Sequence, residues 1–141
     1  MTTEDFKILV DKLNKQGKMH YIDGATDNQI SQFEKSHGIT LPSSYKEWLV
    51  FSDGGEFFLP AGVQMYGVAH EPILNVEDNN RPDEQYIVIG SLASGDPVLC
   101  GQNDEKIYIY DHEGQEISED LIYEDYFALI NDLYDLLGIG E

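Results

Sequence analysis

The sequence is poor in basic residues: its 141 positions hold eight Lys and Arg against 27 Asp and Glu, a formal net charge of −19. Only Arg81 and Lys106 carry positive charge beyond residue 52. Such a chain cannot form the basic groove that nucleic acid requires, and anionic membranes repel it. The composition therefore predicts a protein that binds neither nucleic acid nor membranes.

Cysteine and long hydrophobic runs are also scarce. Cys100 is the single cysteine, so no internal disulfide can form, and its apolar neighbours Val98 and Leu99 predict a buried structural thiol. No run of apolar residues reaches membrane-spanning length, and the N-terminus lacks the regions of a secretory signal. We expect one cytoplasmic domain that comprises residues 1–141.

The motifs of enzymatic chemistry are missing as well. No phosphate-binding loop is present, and the four histidines stand singly, without metal-ligand spacing. His112, between Asp111 and Glu113, is a candidate general base, but no nucleophile or oxyanion donors can be paired with it. The sequence predicts a protein that is not an enzyme and has no cofactor or metal site. Carboxylate clusters leave weak binding of divalent cations open.

Residues 30–55, together with the helix start just before them, contain the clearest local signals. Thr26 and Gln29 have capping-box spacing, so a helix begins at position 26 or 27. Gly38 is a left-handed helix stop, after which Ile39 folds back on Phe33. Pro42 is expected at the first position of a second helix. The inward stripe of that helix, which ends at the double glycine 54–55, is Tyr45, Trp48, Leu49 and Ser52.

The flanking segments predict an α+β fold with N-terminal helices and a C-terminal helix packed against a twisted, mostly antiparallel sheet. Residues 3–16 read as an amphipathic helix, and a last helix begins near Glu124 and ends at Gly138. Short β-branched or aromatic runs mark strands at 57–59, 63–68, 86–89, 97–100 and 106–110, with a hairpin loop at 101–105. Residues 71–84 are expected to form an exposed acidic excursion.

In the last predicted strand, isoleucines and tyrosines alternate. Ile107 and Ile109 are expected on the side of the sheet that faces the helices, and Tyr108 and Tyr110 on the opposite side.

The motifs of residues 30–55 resemble those of the SUKH superfamily of Smi/Knr-type proteins. The positions that carry the resemblance are Ile30, Phe33, Glu34, Gly38, Ile39, Leu41, Pro42, Tyr45, Lys46, Leu49, Gly54 and Gly55. A weaker similarity continues through 89–91, 95–96 and 107–108 to the C-terminal helix. Asp53 stands where the family more usually has Asn, an exchange expected to be harmless because both residues suit a helix exit.

The resemblance implies function through protein binding. The superfamily includes bacterial immunity proteins that neutralise toxins, often nucleases, and fungal regulators of cell-wall assembly. We therefore predict a non-catalytic immunity protein for a cognate basic toxin domain; the alternative is a regulatory scaffold. The oligomeric state is not predicted.

The distribution of charge is consistent with a basic partner. The net charge is −1 over residues 1–52, −7 over 53–102 and −11 over 103–141. A field of this sign accelerates encounter with a basic protein, although an ordinary solvated acidic surface is the alternative. For the aromatic residues, the alternative is that the tyrosines are simply the outer layer of the core. The predicted partner-binding residues are Tyr108, Tyr110, Asp111, Glu113, Glu116, Glu119, Asp120, Tyr123, Glu124 and Asp125, together with Glu56, Asp78, Asp83 and Glu84.

Overall fold

The structure is a computed structural model that describes residues 3–59, 62–70, 74, 81–101 and 104–136. Helices come first in this part of the chain, strands follow, and one helix closes it. The elements are α1 (Thr3–Gln16), α2 (Asp27–His37), α3 (Ser43–Phe51), β1 (Gly55–Phe57), β2 (Val63–Met65), β3 (Tyr86–Ser91), β4 (Pro97–Gly101), β5 (Ile107–Asp111), β6 (Glu116–Tyr123) and α4 (Tyr126–Leu136).

The strands form one antiparallel sheet in which each strand pairs with the next along the chain, in the order β1 to β6. An isolated β-bridge pairs His20 with Glu56 of β1, in addition to the pairing of β1 with β2. No described strand follows β6 in the sheet, so β6 is a terminal strand. The predicted α+β class is confirmed.

The sheet has two different sides. On the inner side, inward residues of the strands and buried residues of all four helices form the main core, whose largest side chain is Trp48. On the other side, Val88, Leu99 and Tyr110 are buried against Tyr66, Tyr86, Tyr108 and Ile117. We call this side the outer face. No residue of a described helix belongs to its cluster, because the helices pack on the inner side alone.

The junction of α2 and α3 follows the local sequence closely. Thr26 and Gln29 form the predicted capping box, and Gly38 ends α2 with φ 63°. One detail of the prediction is wrong: Pro42 is the N-cap of α3 and lies one position before its first helical residue. With φ −57° and ψ 141°, Pro42 is extended, and α3 begins at Ser43.

The strand predictions were less accurate than those for the helices. β6 was not predicted, because its sequence EISEDLIY does not alternate regularly and is rich in acidic residues. β1 begins at Gly55 instead of position 57, and β2 ends at Met65 instead of position 68. The interior of the predicted 101–105 loop, most of the 71–84 excursion and the predicted end of the last helix at Gly138 lie outside the described residues.

Candidate protein-binding surface

The β5–β6 hairpin contains eight of the fourteen residues predicted to bind a partner; one of them, Tyr123 at the end of β6, packs against the inner core. Along β6, the side chains of Glu116, Glu119 and Asp120 are exposed, and we call these three residues the acidic edge. The other four residues of the group lie on β5 or in the turn that joins the two strands. They are Tyr108, Tyr110, Asp111 and Glu113.

The pairing of β6 with β5 is irregular at the acidic edge. Tyr108 pairs with Ile122 and Tyr110 with Ile117, so residues 118–121 lie opposite Ile109 alone. Extra residues of this kind bulge out of a sheet and redirect the side chains that they carry. A surface hollow of about 520 Å³ is lined by residues 116–121.

The remaining predicted residues are spread over other parts of the fold. Glu56 lies on β1, five strand spacings away from β6, or about 24 Å at ~4.8 Å per spacing. Asp83 and Glu84 are exposed just before β3, and Glu124 is exposed after β6. Asp78 lies outside the described residues. The structure thus brings together the hairpin residues but not the whole predicted set.

Several predicted binding residues have contacts within the protein. Tyr110 is only 7% exposed. Tyr123 packs against the inner core, and its hydroxyl donates to Asp132 of α4 at 2.8 Å. The carboxylate of Asp125 accepts the N–H of Ala128 at 2.8 Å, in the first turn of α4. A partner-binding role for these residues stays a prediction.

Tyr108 belongs to the outer face and is held there by contacts with Tyr86 and Asp104. Its ring contacts Tyr86 edge-to-face with centroids 5.3 Å apart, and its hydroxyl donates to Asp104 at 2.8 Å. Burial, and then the hydrogen bond to Asp104, raises the pKa of Tyr108 to about 12. The hydroxyl therefore stays protonated at neutral pH and remains a hydrogen-bond donor.

Asp53 has a structural role that its local sequence does not reveal. This carboxylate is fully buried and accepts the backbone N–H groups of Val68, Ala69 and His70 at 2.7, 2.8 and 2.6 Å. The ring Nδ1 of His70 lies 2.9 Å from the same carboxylate. Gly67 permits the approach, because a Cβ there would lie 2.5 Å from the Asp53 carboxylate. Asp53 therefore anchors the turn at residues 67–70 to the end of α3.

These contacts distinguish Asp53 from the Asn that the resemblance leads one to expect at this position. Both oxygens of an ionised carboxylate accept hydrogen bonds, whereas an amide offers one oxygen and one NH₂ group. An NH₂ group in place of either oxygen would face a backbone N–H donor. The exchange, expected to be neutral from the sequence, therefore matters for the structure.

Glu105 is a second residue that the sequence did not single out. From the segment between β4 and β5, its carboxylate accepts the N–H of Ser43 at 2.8 Å, the N–H of Ser44 at 3.2 Å and the Ser43 hydroxyl at 2.7 Å. It therefore caps α3, whose own N-cap residue, Pro42, has no side-chain donor or acceptor. Glu105 and Ser43 are 62 positions apart, so no local pattern could reveal the cap.

His112, the candidate general base, pairs with a carboxylate other than its sequence neighbours. Its Nδ1 lies 2.5 Å from Asp96, which belongs to the turn between β3 and β4. This hydrogen bond raises the pKa of the histidine. The pair joins two adjacent turns of the sheet.

The described residues contain neither a cluster of metal-ligating side chains nor a helix that could span a membrane. They contain no group of three or more His, Cys, Asp or Glu side chains placed to hold a metal ion. Within the same parts of the chain, every helix is too short or too polar to cross a membrane.

The model of the SMI1 / KNR4 family (SUKH-1) matches residues 24–137, which include the capped helix pair, the Asp53 anchor and the whole sheet. The chain belongs to this family. SUKH proteins are generally non-catalytic and act in immunity or regulation by binding other proteins. The suspected resemblance is confirmed.

The proteins similar to this SUKH chain include a bacterial relative and a protein of known structure. The uncharacterized protein YnaB of Bacillus subtilis (strain 168) is 32% identical over 80 residues, which cover 57% of this chain and 53% of YnaB. The chain thus matches about half the length of that relative. A crystal structure of a protein from Pseudomonas syringae pv. tomato superimposes with a TM-score of 0.64 and 11% identity, covering 90% of this chain and 96% of that one. That likeness concerns the fold alone.

Proposed function

We propose that this protein is a non-catalytic, cytoplasmic immunity protein that binds and neutralises a cognate basic toxin domain, such as a nuclease. The observation that carries the proposal is the concentration of carboxylates around the β5–β6 hairpin. Residues 107–123, from the start of β5 to the end of β6, contain five Asp and Glu, four of them exposed, and no Lys or Arg. Family membership supports protein binding as the mode of action.

The electrostatics of the hairpin suit a cationic partner. The carboxylates of the acidic edge are exposed, and no salt bridge between described residues involves them. They therefore keep their charge available for a partner. Carboxylates so placed attract a basic protein over roughly a Debye length, about 8 Å at physiological salt, and orient it before contact.

The direct test is protection from a toxin. The protein is co-expressed with each candidate toxin encoded beside its gene, and growth is compared with cells that express the toxin alone. We expect growth to be restored by one candidate, and we expect the two purified proteins to form a complex. If no candidate is neutralised and a pull-down from the source cell recovers no basic partner, the proposal is wrong.

Charge-reversed variants test the electrostatic basis. Asp120→Lys on the acidic edge and Asp11→Lys on α1 change the net charge equally at two exposed sites. We expect Asp120→Lys to slow association several-fold at low salt and Asp11→Lys to have a smaller effect, because steering depends on charges near the contact. Several weak partners with little salt dependence would instead indicate a regulatory scaffold.

A further inference from the structure

We propose that the outer face, together with the acidic edge, docks an extended basic segment in which Lys or Arg side chains alternate with apolar ones. This inference rests on the proposed function and adds where and how the partner binds. The apolar side chains of the segment pack on the outer face, and its cationic groups meet the carboxylates of β6.

The outer face has the composition of a contact surface. When one side of an antiparallel sheet faces water, its outward positions are usually polar. Here seven of the outward positions paired across β3 to β6 are aromatic or aliphatic, beside Ser91, Pro97 and Gly101. The seven are Tyr86, Val88, Leu99, Tyr108, Tyr110, Ile117 and Ile122.

Part of this apolar surface is open to a partner. Ile122 is 44% exposed and lies opposite Tyr108 on the neighbouring strand. Tyr86 and Tyr108 are partly exposed and contact each other edge-to-face. Rigid aromatic rings beside an exposed aliphatic residue provide buried contact area at low entropic cost, as in the central anchors of protein interfaces.

The acidic edge lies on β6, the terminal strand of this surface. Glu116 and Ile117 are consecutive on β6, so one side chain is exposed in the acidic edge while the other packs on the outer face. Because neighbouring side chains of a strand alternate in direction, a partner segment extended along the free edge of β6 can place its apolar side chains on the side of Ile117 and its cationic ones on the side of Glu116. The hollow lined by residues 116–121 has room for a long cationic side chain.

The occupant is identified by charge complementarity. Residues 103–141 have a net charge of −11, and the aromatic faces of the outer cluster also attract cations. An acidic or purely apolar segment would leave the carboxylates of β6 without counter-charges. A basic segment is the occupant that satisfies both the carboxylates and the apolar face.

Two synthetic peptides of about ten residues test the proposal on the ¹⁵N-labelled full chain. One alternates Arg with Val, and the other alternates Arg with Ser, so the two have the same charge. We expect the Arg-Val peptide to bind about tenfold more tightly and to shift amide signals of β5 and β6. Equal affinities would show that charge alone binds the peptides, and shifts confined to the helical side would place the site elsewhere; either result overturns the proposal.

Ile122→Lys tests the apolar anchor, and Ile8→Lys is its matched control. Both isoleucines are exposed, at 44% and 60%, but Ile8 lies on α1. We expect Ile122→Lys to weaken Arg-Val binding about tenfold and Ile8→Lys to leave it unchanged. The milder Ile122→Ala is measured as well, in case the lysine perturbs folding, and amide spectra of each variant check that it is folded. Wild-type affinity in a folded Ile122 variant would contradict the proposal.

The same variants separate this inference from the proposed function. If the wild type and both Ile122 variants protect cells equally well from a toxin, the immunity function stands and the docking site is wrong. If the Arg-Val peptide binds the outer face but no toxin is neutralised, the docking site stands and the immunity function is wrong.

Discussion

Oδ2 of Asp53 lies 2.9 Å from Nδ1 of His70, and both groups belong to a connection between the end of α3 and the turn after β2. Because the buried carboxylate can only accept, the ring nitrogen carries the proton and donates it. Three backbone N–H groups donate to the same carboxylate. They make the link between α3 and the turn stronger than the contact with the His70 ring would be alone. The buried negative charge is thus compensated by four donors.

Replacing Asp53 with Asn is expected to lower the free energy of unfolding by about 2 kcal/mol. The amide turns one acceptor oxygen into a donor that opposes a backbone N–H, which leaves buried groups unpaired. The measurement is urea denaturation of the variant and the wild type at neutral pH.

Asp120→Asn is the control for the Asp53 variant, because it removes the same charge from an exposed residue. Its stability should stay within about 0.5 kcal/mol of the wild type. Equal stability of the Asp53 and Asp120 variants would show that the buried contacts are not needed for the fold.

Replacing Glu105 with Ala is expected to lower the stability by about 1 kcal/mol, the usual effect of losing a helix cap. The substitution leaves the N–H groups of Ser43 and Ser44 without their side-chain acceptor. Thermal unfolding of this variant is compared with that of Glu113→Ala, which removes an exposed carboxylate from a turn. A Glu105 variant no less stable than the Glu113 variant would argue against the cap.

The rings of Tyr45 and Tyr126 are stacked, but loss of the hydroxyl group should change the stability of the protein in opposite directions at the two positions. Their centroids are 5.0 Å apart and their planes differ by 9°. The Tyr45 hydroxyl donates to the carbonyl of Tyr66, whereas that of Tyr126 is buried without a hydrogen-bond partner among the described residues. We expect Tyr45→Phe to destabilise and Tyr126→Phe to stabilise, each by about 1 kcal/mol.

Chemical denaturation of the two tyrosine variants, measured together, provides the test. The variants lose the same atom from adjacent rings, so each serves as the control for the other. A destabilised Tyr126→Phe protein would show that its hydroxyl has a partner and that the burial penalty is absent.

The interaction of His112 with Asp96 should make stability depend on pH. The hydrogen bond to Asp96 raises the histidine pKa above its ordinary 6.5, so this contribution is complete below that pH and is lost as pH rises through the folded-state value. Although burial opposes it, the His112 contacts lower the pKa of Asp96 below 3.8. The contribution of the carboxylate is lost as pH falls through that lowered value.

The pair therefore stabilises the fold most between about pH 4 and 6.5. His112→Gln should lower the melting temperature more at about pH 5 than at about pH 9, because the histidine loses its proton as the pH rises through its raised pKa. Melting curves of the variant and the wild type at both pH values provide the comparison. A decrease of the same size at both would rule out the charged pair.

The parts of the fold that could be predicted are those with a local cause. The capping box of Thr26 and Gln29 and the left-handed stop at Gly38 depend on residues within one or two turns of the chain, so the bounds of α2 were readable. The burial of Trp48 and Leu49 followed from helical periodicity, and that of Cys100 from its apolar neighbours. The alternation of isoleucine and tyrosine in β5 likewise predicted a sheet with two different sides.

The features that could not be predicted depend on partners distant in sequence. β6 forms although its alternation of polar and apolar residues is interrupted. It pairs with β5, and a bulge in β6 accommodates the extra residues. Glu105 caps a helix 62 residues earlier, and Asp53 binds a turn 15 to 17 residues later. Which acidic residues share one surface was likewise unpredictable, because it depends on the strand order.

The sequence by itself determined the helix boundaries near 26 and 38, the identity of the central core residues and the excess of carboxylates after residue 52, since these depend on local geometry, hydrophobicity and charge. Only the tertiary structure decided that Glu119 and Ile122 share a terminal strand while Glu56 lies at the opposite edge. The physical reason is that strand pairing joins residues through hydrogen bonds and side-chain packing between distant segments, which no local pattern encodes.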